Sequence, residues 1–370
     1  MPRKSLSQLP RHALLGMLFI TSLAPATVFA QSCILTRLDT PISRAIERQQ
    51  QEKAEEPQHW QIGVGWRYGY SFRHFVGTDE QEHRLEEHSQ VVNNVHLFDV
   101  SLRYNFDDRT SLSVGVPYLI ARRSSGLRGP DREVIRRYDR SHTRGIGDIS
   151  VVVNRWLWDP ASHPRSNLSL GLGLKLPTGE YRQKQNSISL VDGEEVVSVG
   201  IADPSVQPGD GAWGAIVELS GFRLLGNSES LALYGSAQYI MEPETTNGVE
   251  RPGARPGEEK VSVTDQYVAR LGLQWSPEKL PGWQFGLGGR IEGVPVRDLI
   301  GSSYGRRRPG YMLSIDPSVN WSKGSHTVSL AMPWAVSRNR QKSVADIENG
   351  LHGDAAFPDY LLMLNYARRF

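Results

Sequence analysis

The chain has 370 residues, with 42 Lys and Arg against 40 Asp and Glu, a formal charge of +2. Its one cysteine, Cys33, excludes an internal disulfide framework and a thiolate metal cluster. A balance this close to neutral excludes nucleic-acid binding driven by global charge.

The N-terminus has the three parts of an export leader. Arg3, Lys4 and Arg11 precede the apolar run Ala13 to Leu23, and Pro25 and the small-residue ending Val28-Phe29-Ala30 follow. Residues 1–30 are therefore read as a signal peptide cleaved after Ala30. The apolar run falls short of the roughly 20 residues that span a bilayer. No later segment approaches about 18 uninterrupted apolar residues, so the remainder is either soluble or a barrel. Cleavage removes three cations and no acid, leaving 39 cations against 40 acids. Polar Gln31, just ahead of Cys33, argues for a tolerated thiol over a lipid anchor.

Residues 31–58 hold at most a short amphipathic helix, started at Thr40-Pro41 with Ile42, Ala45 and Ile46 at helical spacing. A periplasmic segment, a lumen plug, a partner-binding element and a solvated leader all remain open for it.

From Trp60 the pattern becomes strict alternation. Trp60, Ile62, Val64, Trp66, Tyr68, Tyr70 and Phe72 share one face; Gln61, Gly63, Gly65, Arg67, Gly69, Ser71 and Arg73 share the other. Soluble strands usually run about 5–6 residues, so a strand of this length with aromatic ends suits a tilted membrane span. The pattern recurs from Phe98 to Phe106 and, after the turn Asp107-Asp108-Arg109-Thr110, from Leu112 to Ile120. Further runs lie at Ile149–Val153 and Leu168–Leu176, with weaker ones near 213–223 and 230–241. The last are Tyr267–Trp275, Trp283–Ile291, Tyr311–Trp321, Val328–Val336 and Tyr360–Phe370.

These give about twelve strands in 59–370, an even number as in bacterial single-chain barrels. Short connections (107–110, 159–166, 224–229, 277–282, 322–325) alternate with long polar ones (73–90, 124–144, 179–211, 243–262, 294–309, 338–357). That asymmetry predicts short periplasmic turns, long external loops and both mature termini in the periplasm. The expected fold is an all-β, transmembrane, antiparallel up-and-down β-barrel in the outer membrane of a Gram-negative bacterium, because strands in hydrocarbon must close on one another. The rival is a large soluble β-sandwich. Pro317 and Pro333 fall inside expected strands and mark bulges or ends.

Three motifs stand in the middle third: Gly145-Ile-Gly-Asp148, Lys175-Leu-Pro-Thr-Gly179 and Gln207-Pro-Gly-Asp210 with Gly211-Ala-Trp213 behind it. Over about Gly145 to Phe222 the chain resembles the outer-membrane family named for the meta-cleavage pathway of phenol degradation. The resemblance implies an outer-membrane channel, with small hydrophobic or aromatic compounds as the leading solute class. The C-terminus is similar to the signal read by the barrel assembly machinery: Tyr360, Leu362, Leu364 and Tyr366 share a face with terminal Phe370, and Arg368 departs from it.

If the apolar face meets lipid, the other lines the lumen and carries Arg67, Asp99, Arg103, Asp148, Lys175, Arg270, Arg290, Glu292, Asp316 and Arg369. Such charges either form a constriction that selects solutes or pair across strands and fill the interior. The arginines from Arg122 to Arg144, and Arg306-Arg307-Arg308, are placed on external loops, where they clasp lipopolysaccharide phosphates or are simply solvated. Asp79, Glu80, Glu82, His83, Glu86, Glu87 and His88 include cation-ligating types without a fixed spacing. Asp139, Ser141 and His142 are the nearest approach to a hydrolase constellation, and nothing in the sequence fixes their geometry. No cofactor is indicated. The readings are a channel, a closed structural or accessory barrel and, third, a membrane-embedded hydrolase.

Overall fold

The computed structural model describes residues 59–131 and 133–370. The expected signal peptide, segment 31–58 and Cys33 lie outside the described residues. In chain order the elements are β1 (Trp60–Val76), β2 (Asp79–Glu80), α1 (His83–Glu86), β3 (Val92–Asn105), β4 (Thr110–Arg128), β5 (Val134–Ile146), β6 (Ile149–Trp156) and β7 (Ser166–Leu176). There follow β8 (Lys184–Val191), β9 (Glu194–Ile201), the 3-10 turn η1 (Pro204–Val206), β10 (Gly214–Leu224), β11 (Leu231–Met241), β12 (Thr246–Glu250) and β13 (Lys260–Ser262). The last are β14 (Gln266–Trp275), β15 (Trp283–Val294), β16 (Gly310–Lys323), β17 (His326–Ala331), β18 (Trp334–Arg340), α2 (Val344–Glu348) and β19 (Ala355–Arg369).

Each stave pairs antiparallel with its neighbours, and β19 returns to β1 with Gln61 opposite Arg369 and Tyr68 opposite Leu362. Backbone bonds between Trp60 and Phe370 seal the seam, at 3.0 and 2.9 Å. β5 with β6 makes one interrupted stave and β17 with β18 another, so the closed barrel has twelve strands. Closure leaves no strand edge unpaired in hydrocarbon, where an unmet backbone group has no water to turn to.

The alternation read from β1 is realised. Trp60, Ile62, Val64 and Tyr70 are exposed on the outside, while Gln61, Gly65, Arg67 and Gly69 are buried. Aromatic contacts gather at two levels. The inner one holds Trp60–Tyr104 (4.7 Å between ring centres), Trp156–Phe222 and Trp275–Phe285, and the outer one Tyr239–Tyr267 and Trp334–Tyr360. From Trp60 to Tyr70 a strand rising about 3.3 Å per residue covers about 33 Å, and a tilt near 40° makes that a band about 25 Å tall.

Connections at the inner end are tight. Asp107 closes one of them by accepting hydrogen bonds from the Arg109 and Thr110 amides at 2.6 and 2.7 Å, the local bonding that lets a short polar side chain stand in for a ladder. The outer connections are more ordered than expected of loops. The stretch 124–144 is the extension of β4 paired with β5, 179–211 contains the β8–β9 hairpin and η1, and 243–262 contains β12 and β13.

Both prolines are accommodated. Pro317 lies inside β16, where its carbonyl accepts from Met332 N at 3.1 Å. Pro333 divides β17 from β18 and accepts from Leu361 N at 3.0 Å. Neither position asks the ring nitrogen for a donor it lacks.

The interior differs along its length. The inner half carries Gln61, Arg103, Ser113, Asn154, Asn167, Gln274, Gln284 and Asn320, all buried. The outer half carries apolar clusters: Val95, Leu97, Leu119 and Ala121 with Ala202 and Val206, and Met312, Ala331, Ala335, Leu361 and Met363.

Candidate functional site: the obstructed lumen

About eight strands leave room only for side chains, and about sixteen leave an aqueous channel. With twelve, what occupies the lumen decides whether it is open. All ten inward charges expected from the sequence are buried or half-buried, and most of them meet in three groups.

The first group is a chord across the barrel. Glu292 on β15 accepts from Arg67 on β1 at 2.9 Å and from Arg290 at 2.6 Å, although three staves stand between β1 and β15. A guanidinium is long enough to reach across because its neighbours on β1, Gly65 and Gly69, have no side chains. In the second group Arg270 on β14 donates to Asp316 on β16 at 2.5 Å and lies over the ring of Tyr234. The intervening stave presents Gly288, where an added Cβ would lie 2.5 Å from the Leu271 carbonyl. Arg103 donates to Ser113 at 3.1 Å, and Arg369 reaches the Gly324 carbonyl at the inner rim, also at 3.1 Å. Asp99 is half-buried with its oxygen over Gly65.

The third group joins the three sequence motifs. Asp148 falls in the break between β5 and β6, where Gly147 N donates to the Pro117 carbonyl. Its carboxylate holds the amides of Gly179 (2.9 Å) and Asp210 (3.1 Å), and Thr178 bridges the gap from Ile149 N to Gly147 O. Gly179 and Gly209 approach so closely that a Cβ on either would come within 2.7 Å of the other's backbone. Lys175 sits at the centre, 2.5 Å from Asp210, 2.8 Å from Glu242 and 3.5 Å from Asp148. One cation serves all three carboxyl groups.

The segment carrying Asp210 is a plug. After β9 the chain turns inward, and η1 places Val206, fully buried, against Val95, Leu97, Leu119 and Ala121. Thr143 donates to the Val206 carbonyl, and Gln207 ties the plug's stem to Gln183 and Ala202. At the other end Asp203 caps η1 and takes three guanidiniums: Arg308 at 2.7 Å, Arg123 at 3.3 Å and Arg306 at 3.4 Å. Burial alone would raise the Asp203 pKa, but the adjacent guanidiniums hold it well below the ordinary carboxylate range.

Around the plug lie three cavities. The largest, about 230 Å³, is bounded by β1, β3, β4 and β19 in the outer half; the others, of about 80 and 60 Å³, lie toward β7 and beneath it. Ser205 on the plug lines both the first and the second, Arg67 both the first and the third, and Lys175 with Asp148 both the second and the third.

The plug's partners were missed from sequence. Asp203, Asp210 and Glu242 lie in connections without a period, so no pattern marks them as inward. The Arg306–Arg308 triplet, placed on an external loop, is instead packed inside. Arg307 is fully buried, bonded to Asp298, Ser262 and three carbonyls, and Arg308 faces the largest cavity. Arg123 is likewise interior, whereas Arg122 and Arg136 are exposed and pair with Asp139 and Glu195. Ser141 and His142 are successive residues of β5, one buried and one exposed, so their side chains take opposite faces. Of the acidic stretch after β1, Glu80 is held by Arg73 and Glu87 by Arg128, and among the described residues no group of three or more ligating side chains converges.

Neither a family model nor a curated protein matches the sequence. Solved structures do. An outer membrane channel from Pseudomonas putida F1 has a TM-score of 0.53 at 14% identity, over 85% of this chain and 97% of that one. The CymD monoaromatic hydrocarbon channel has a TM-score of 0.42 at 9% identity, over 85% and 90%. The beta domain of a Bordetella autotransporter has 0.45 at 14%, over 84% and 100%. The first likeness is one of fold, that of an outer-membrane barrel; the other two are too loose to bear on function.

Proposed function

We propose that the chain is an outer-membrane channel admitting small hydrophobic or aromatic compounds, and that it stands here in a shut conformation. The observation that carries this reading is the plug: an inward-folded segment, 202–210, packs into the lumen of a complete barrel and lines two of its cavities. A barrel with no passage needs no such segment. Apolar clusters set among the charges of the outer half, and uncharged polar side chains in the inner half, suit solutes gathered outside and released into water. Membership of the meta-cleavage family belongs to the same proposal, supported by the convergence of its three motifs on Asp148 and Lys175. So do export by residues 1–30, assembly through the face of Tyr360 to Phe370, and contact of Arg122 and Arg136 with lipopolysaccharide.

A second reading, a closed accessory barrel, is favoured by the Arg67–Glu292 chord, which spans the lumen on its own. Uptake into proteoliposomes separates the two. The channel reading expects a small aromatic such as phenylacetate to equilibrate faster than a disaccharide of greater bulk, and equal, protein-independent leakage of both would contradict it.

A further inference from the structure

The largest cavity is amphipathic and has surplus positive charge. One wall, from β16 and β19, is apolar: Met312, Phe357 and Leu361. The facing wall, from β3, β4 and the plug, is polar and includes Asn93, Arg123 and Ser205, with Arg308 beside it. Three guanidiniums share the one carboxylate of Asp203, an excess of two positive charges. Glu292 is taken by Arg67 and Arg290, while Asp354, which also serves His74 and Arg84, and Glu258, which also serves Arg251 and Arg255, offset the excess only in part. Burial, and then the charge of Arg308, push the Arg306 pKa down to about 9, as expected of a cation crowded by its own kind. Arg123 is buried, with Nη1 donating to Asn93 at 2.7 Å and Ser205 at 3.2 Å and Nη2 to Asp203 at 3.3 Å. Crowding buried cations around one carboxylate is costly, and an incoming anion relieves it.

We propose that this cavity binds a small organic monocarboxylate with an aromatic or aliphatic body, its carboxylate between Arg123 and Arg308 and its body against Phe357, Met312 and Leu361. The size agrees: an apolar cavity of about 150 Å³ accepts a benzene ring, and about 230 Å³ takes the ring with a carboxylate. Guanidinium favours a carboxylate over other oxygens through paired charge-assisted bonds. Because Arg123 and Arg308 also hold Asp203, the bound carboxylate competes with the plug for the same donors, and the ligand itself loosens the segment that shuts the lumen. This last step rests on the channel reading; the site does not.

The test is calorimetric titration of the refolded protein in micelles with benzoate, benzyl alcohol and benzylamine. Benzoate is expected to bind about tenfold or more tightly than the alcohol, the scale of a hydrogen bond to a charged group, and benzylamine not at all. Arg123→Gln and Arg308→Gln should each bring benzoate down to the alcohol's affinity, and Leu361→Trp, which fills the apolar side, should remove both. Folding of each variant is checked by heat-modifiable migration, and if one arginine variant fails to fold the other two variants decide. Equal affinities for benzoate and benzyl alcohol, or benzoate binding indifferent to both arginines, would overturn the site. Benzoate binding without conductance would defeat the channel reading alone, and conductance without benzoate binding would defeat the site alone.

Discussion

Glu292 is shared by two guanidiniums in the lumen, and both of its partners are buried. Removing the carboxylate leaves their charge behind, and breaking a buried pair in this way costs about 3–5 kcal/mol. Glu292→Gln is therefore expected to lower the urea midpoint of the refolded barrel, while Arg122→Gln, at an exposed pair, should change it by less than about 1 kcal/mol. An unchanged midpoint for Glu292→Gln would show that the chord contributes little. Gly209 makes a different kind of demand, since its backbone touches that of Gly179 and a methyl has nowhere to go. Gly209→Ala should push the plug off the wall and raise its proteolytic cleavage, with barrel folding unaffected. That Arg67 and Lys175 face inward is legible in the sequence, because period two fixes the side of every residue in a strand. Their partners were only half legible. Glu292 follows the same period, whereas Asp210 and Glu242 lie where the pattern stops.

At the scale of the element, the plug and the connections above it are held by carboxylates. Asp203 lies among Arg123, Arg306 and Arg308, and Asp354 accepts from His74 and Arg84. Burial opposes ionisation of Asp354, but the bond from His74 and the nearby cations prevail and bring its pKa down to about 2. A carboxyl whose folded pKa lies below its unfolded value, near 3.9, stabilises fully above that value and loses its contribution as pH falls through the folded one. Asp203 is depressed in the same direction, so its end of the plug should stay latched at pH 5 and loosen only as pH falls below about 4. Limited proteolysis beside Asp203 across that range is the check, and cleavage there already complete at pH 5 would contradict the assignment. Strands were readable as elements wherever lipid imposes an outer face. The extensions above the membrane were not, because β5, β8 and β9 pair in water, and there no single face must be apolar.

For the whole molecule, twelve staves, short inner turns and a closed seam follow from alternation and connection length. What closes the lumen does not follow from either, since a segment such as Pro204–Val206 looks like any loop until its packing is seen. On the channel reading this segment shuts the passage, and the Arg67–Glu292 chord narrows what is left. Single-channel conductance in planar bilayers tests it most directly, comparing the folded protein with a variant whose residues 202–210 are replaced by a glycine–serine linker. Rare, brief openings in the first and steady conductance in the second are expected. Silence in both, with folding confirmed by heat-modifiable migration, would contradict the account and leave a closed barrel.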